Sequence, residues 1–136
     1  MTASLLEDAR IERLEKLLLE VRELLRQDRV PLQADRGQRV AELQVRVARF
    51  FKVPVGGLLA RGRAGVFVWP RHVAMRLAEE LLGLNHSEAG RFFHRHPGAI
   101  RHGCRAVAAA AETDPKRRAE IDLLRGELTK LFYPDD

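Results

Sequence analysis

Helix breakers decide what this chain can become. From Ser4 to about Arg29 there is neither glycine nor proline, and beyond that point Pro31, Pro54, Pro70, Pro97 and Pro115 cut the chain into short stretches. Within those stretches apolar residues recur every three or four positions, the period of a helix rather than a strand. The first stretch is dense in Leu, Glu and Arg, and Ile11, Leu14, Leu18, Val21 and Leu25 follow heptad spacing, with Leu17 and Leu24 widening the stripe. A stripe this broad suits either a coiled-coil seam or a cover for the chain's own core. Val30 to Ala34, broken at Pro31, is the expected linker.

A second helix is expected from Arg36 or Gly37 to Phe51, with Val40, Leu43, Val47, Phe50 and Phe51 inward. Leu58 and Leu59 offer one apolar turn, and the residues from Arg61 to Gly65 form a basic loop. Val66 to Trp69 has no second strand to pair with, so it reads as a loop or a helix entry. Pro70 fits the first turn of a third helix, which Gly83 stops. Asn85 with Glu88 three residues on is a capping-box pattern, opening a short helix to about Phe93. Pro97 and Pro115 each mark the first turn of a further helix, ending near Ala111 and Phe132. Their inward stripes are Ile100, Cys104, Val107 and Ala108, then Ile121, Leu124, Leu128 and Leu131. The expectation is six helices and no sheet, an all-α fold.

At 136 residues the chain is one ordinary domain with a helical extension, expected to divide into 1–30 and 31–136. Its 46% of hydrophobic residues suffices for a core. The single cysteine, Cys104, excludes an internal disulfide and suits a reducing compartment. No apolar run is long enough to span a membrane and no secretory leader is evident, so a cytoplasmic protein with no membrane partner is expected. Charge is the informative quantity. Residues 1–35 carry 6 basic and 8 acidic side chains and residues 111–136 carry 5 and 7, whereas residues 36–110 carry 13 and 4, a net +9. A basic middle between two mildly acidic ends points to a polyanion, with nucleic acid the usual one.

Residues 86–108 supply the motif: a short helix, a turn of about three residues, and a second helix that begins with basic and polar groups, the helix-turn-helix arrangement. In such units the start of the second helix reaches base edges, and here it carries Arg95, His96, Gly98, Arg101 and His102. The same imidazoles, with His86, His94 and Cys104, invite a metal reading. No carboxylate lies near them in sequence to orient the rings, and His102 and Cys104 point apart on one helix. Phosphate contact is the simpler role, with neither metal nor cofactor expected. Cys104 lies in an apolar stripe with no base aimed at it, so no enzyme activity is expected.

From about Arg39 to Phe132 the sequence resembles the DNA-binding C-terminal domain of the bacterial chromosomal replication initiator DnaA. The resemblance rests on Val47-Ala48-Arg49-Phe50-Phe51-Lys52-Val53, on Trp69-Pro70-Arg71-His72-Val73-Ala74-Met75, on Glu88-Ala89-Gly90-Arg91-Phe92-Phe93, and on Ile100-Arg101-His102-Gly103-Cys104-Arg105. It implies an all-α helix-turn-helix bundle of that type, here with an added N-terminal amphipathic helix. It matches Arg71 to an arginine that enters the minor groove, and Asn85, His86 and Ser87 to a turn that touches phosphates. Arg61, Arg63 and His72 complete the expected DNA-binding set with Arg95, His96, Arg101 and His102. Where the family signature reads Gly-Gly-Arg-Asp-His-Thr-Thr-Val, this chain has His94-Arg95-His96-Pro97-Gly98-Ala99-Ile100, one residue shorter, which implies a different base preference. The chain has no GxxxxGK[ST] phosphate loop for an ATPase. The expected function is a small DNA-binding regulator or nucleoid- or replication-associated factor. Its expected partners are double-stranded DNA and a second copy paired through residues 4–29. The alternative is a protein-interaction module whose degenerate motif no longer binds DNA.

Overall fold

A computed structural model of the chain describes residues 2–27, 35–61 and 65–134. The expected linker Val30–Ala34 and three residues of the basic loop, Gly62, Arg63 and Ala64, lie outside them. The chain divides into two compact units, Met1–Pro31 and Leu32–Asp136. The first holds α1 (Thr2–Gln27). On it Ile11, Leu14, Leu17, Leu18 and Val21 are about half exposed.

The second unit holds α2 (Arg36–Phe50), α3 (Val55–Leu59), α4 (Gly65–Leu82), α5 (His86–Phe93), α6 (Pro97–Thr113) and α7 (Pro115–Phe132), with no strand among the described residues. Among the described residues seven helices thus replace the six expected. The extra one, α3, is the apolar turn of Leu58 and Leu59, too short to show a period. α4 packs against α2, α3, α5, α6 and α7 and forms the centre. Val73, Ala74, Met75, Leu77 and Ala78 on it are fully buried, as are Leu43, Val47, Leu58, Phe93, Ile100 and Leu124 on the helices packed against it. Each large aliphatic or aromatic side chain so buried contributes about 1.5–3 kcal/mol. Gly103 lets α6 approach this close, since a β-carbon there would collide with the Met75 methyl and the His72 ring. Phe50, Phe51 and Leu131 are half-buried rather than core, and Ala108 is exposed.

The start of α4 corrects a second expectation. The helix begins at Gly65, so Pro70 lies inside it instead of in its first turn. Proline forgoes the hydrogen bond to the carbonyl four residues back, here Val66, on an exposed turn. Tertiary contacts outweigh that loss. Phe67 packs over Gly57 of α3, the Trp69 Nε1–H donates to Glu120 of α7 at 3.2 Å, and the Arg117 guanidinium lies 4.4 Å from the Trp69 ring centre.

Local chemistry ends the other helices. Asp35 accepts from the Gln38 N–H and caps α2. Asn85 and Glu88 form the capping box of α5, and Gly83, before it, has a φ of 67°. Asp114 closes α6 through its own N–H and opens α7 by accepting from Lys116 and Arg117.

Candidate nucleic-acid interface

The helix-turn-helix is α5, the turn His94–His96, and α6. Gly90 makes the turn possible: the Arg95 N–H donates to its carbonyl at 2.9 Å, and a β-carbon at Gly90 would meet the Arg95 carbonyl oxygen at 2.5 Å. His94 takes the left-handed conformation with a φ of 54°, at a place where the family signature has glycine. Phe93 anchors α5 in the core. α6 then begins on a histidine cap, because the His96 Nδ1 accepts from the Gly98 N–H at 3.0 Å. The cap uses the Nδ1 lone pair and leaves Nε2 free of it.

Asn85, His86 and Ser87 at the start of α5 and His96, Gly98 and Arg101 at the start of α6 line one open depression. A second, sharing Ser87 and Pro97 with it, is lined by Arg61, Arg91, His94 and Arg95. Most of the expected set is therefore gathered on one continuous surface. Arg91 is outside the expected DNA-binding set, and His94 is marked only as one of the clustered imidazoles. Arg91 lies one helical turn beyond Ser87, a spacing that could have signalled it. His72 of α4 faces His102 of α6 with ring centres 5.9 Å apart. Burial, then the His102 ring, then Arg71, Arg117 and Arg95 push the His72 pKa below its ordinary value of 6.5. Arg63 lies outside the described residues.

Arg71 departs from its expected role as an accessible contact. It is only 6% exposed, and its guanidinium donates to the carbonyls of Leu58, Gly57 and Ala60 at 3.0, 2.8 and 3.3 Å. A carboxylate does orient one of the motif's imidazoles: Glu79, seven residues before His86, lies 2.6 Å from the His86 Nδ1 and 3.5 Å from the Cys104 sulfur. Burial and Glu79 push the Cys104 thiol up to about 12, leaving it protonated and unreactive at neutral pH. Among the described residues no group of three or more His, Cys, Asp or Glu side chains is placed to hold a metal ion.

The electrostatics separate the two sides of this unit. Arg36, Arg46, Arg76, Arg117, Arg118 and Arg125 each lie within 4.0 Å of a carboxylate. Arg61, Arg91, Arg95, Arg101 and Arg105 make no such pair among the described residues. These five belong to the helix-turn-helix and to the loop beside it, while Arg49, Lys52, Lys116 and Lys130 are the other exposed cations of this unit with no such pair among the described residues.

Comparison with known proteins bears on the same segment. The family profile described as bacterial dnaA protein helix-turn-helix matches residues 40–107, from α2 into α6. The chain belongs to this family. Curated DnaA relatives agree: the chromosomal replication initiator protein DnaA of Acinetobacter baumannii is 34% identical over 77 residues, 56% of this chain and 17% of that protein. The same protein of Roseiflexus castenholzii is 35% identical over 83 residues, 60% of this chain and again 17% of the relative. The chain thus spans about a sixth of the length of these DnaA relatives. Within the DnaA-type domain the profile takes in the motif, the Arg61 loop and the central α4, while α1 and α7 lie outside it. No helix among the described residues is long and apolar enough to cross a membrane.

Proposed function

We propose that residues 31–136 form a module that binds double-stranded DNA, with the start of α6 in the major groove, and that the chain acts as a small nucleoid- or replication-associated regulator, cytoplasmic and not an ATPase. Arg95, His96 and Arg101 face the base edges. Asn85, His86 and Ser87 meet phosphates at the start of α5, where backbone N–H groups and the helix dipole favour an anion. Arg61, His72 and His102 flank them. The observation that carries the reading is the set of arginines without carboxylate partners on the helix-turn-helix face, beside paired ones elsewhere. Residues 1–30 act as a separate element that pairs two copies through α1, which would present two reading helices to paired half-sites.

Fluorescence anisotropy with duplex DNA across a salt series tests the reading. Several phosphate contacts should give a linear fall of log affinity with log salt, with a slope of about −0.9 per contact. Because His96, Pro97, Gly98 and Ala99 replace the family's base-reading signature, a random-site selection should return a sequence other than the initiator's box. No duplex binding at about 50 mM salt would sink the reading and favour a protein-interaction module.

A further inference from the structure

α3 has five residues, and its last carbonyls have no intrahelical partner to receive them. Arg71, thirteen residues after Leu58, supplies what is missing. Its Nε–H donates to Leu58, and its Nη2 is shared between Gly57 and Ala60. A planar fork at the negative end of a helix satisfies three carbonyls at once, which the point charge of a lysine does not. The Arg95 Nη2 donates to the same Ala60 carbonyl at 2.5 Å. Two guanidinium groups therefore share one backbone oxygen, and neither has a carboxylate within 4.0 Å among the described residues. Burial and then the charge of Arg95 lower the Arg71 pKa. Arg61 follows Ala60 directly in the chain.

We propose that Arg71 is a positioning residue and not a DNA contact: by stapling the end of α3 to α4 it places the Ala60 carbonyl, which in turn holds Arg95 and the start of the Arg61 loop at the edge of the interface. The inference rests on the DNA-binding reading above. Arg95 has one carbonyl to exchange for a phosphate or a base edge. Arg71 would have to abandon three, and with them the end of α3.

Side-chain Nε–H resonances of the ¹⁵N-labelled full chain provide the test, recorded free and with duplex DNA. The Arg71 Nε–H should be protected from solvent exchange in the free chain and shift little with duplex, while those of Arg95 and Arg61 move. An Arg71 signal that shifts as far as that of Arg95, or exchanges freely, overturns the inference. A mutant cycle gives the second readout. Arg71→Lys should weaken duplex binding several-fold in the otherwise unchanged chain and by less than about twofold when Arg61→Ala and Arg95→Ala are already present, because coupled residues do not add. Equal losses in both backgrounds mean that Arg71 touches DNA on its own account. Should Arg71→Lys fail to fold, the resonance measurement on the unaltered chain decides. A chain that binds no duplex at all overturns the DNA reading and this role with it, whereas an unprotected Arg71 in a chain that does bind overturns the inference alone.

Discussion

His94 holds a left-handed backbone at the corner of the motif, a conformation that costs a residue with a β-carbon about 1 kcal/mol relative to glycine. Glycine would recover most of that while adding freedom to the unfolded chain. His94→Gly should therefore raise stability by about 0.5–1 kcal/mol in denaturant titration, and an unchanged or lower midpoint would mean that the imidazole makes contacts of its own. His72 gives a pH dependence. Its folded pKa lies below the ordinary 6.5, so between those two values the unfolded chain binds a proton that the folded chain does not. Its contribution is thus complete above pH 6.5 and lost as pH falls through the folded value. Melting temperatures should decline on acidification from neutral pH, and His72→Gln should flatten that decline. The imidazoles and Arg95 were legible in the sequence because the motif's spacing marks them. The environment of Arg71 was not, since its three acceptors come from α3 and the residue that caps its end, and a short backbone segment leaves no chemical signature eleven to fourteen residues upstream.

Helices whose ends are written in side chains were readable from the residues: the Asn85–Glu88 box, Pro97, and Asp114 with Pro115. Helices held by their neighbours were not. α3 has too few residues for a period, and the first turn of α4 depends on Phe67 meeting Gly57 and Trp69 meeting α7. α1 depends on more than its own propensity as well. A lone helix is marginal in water, and this one exposes Ile11, Leu14, Leu18 and Val21 at heptad positions. In a parallel pair Arg10 and Glu15 of opposite copies would stand at flanking positions with attractive charges. Light scattering on the full chain should report a dimer, and replacing Leu14 and Leu18 together by glutamate should give a folded monomer. A full chain that is monomeric at all concentrations sinks the pairing.

At the scale of the whole molecule, the net +9 of residues 36–110 made a polyanion partner legible in the sequence. How the cations divide, with Arg61, Arg91, Arg95 and Arg101 lining adjoining depressions while Arg76 and Arg125 share Glu80, needed the packing of α4 against α6 and α7 to appear. That division places dissolved ions in two opposed roles. With no partner present the arginine face repels itself across distances comparable to the Debye length, about 8 Å at physiological ionic strength, whereas the exposed ion pairs on the other side are worth little each. Added salt should therefore raise the melting temperature of the free chain over the same range in which it weakens duplex binding. Calorimetry and anisotropy run on one salt series would check it, and melting that fell in step with affinity would contradict it. Read in this way, the small ions of the solvent are the incumbent ligand of this surface, and the nucleic acid is a competitor that must displace them.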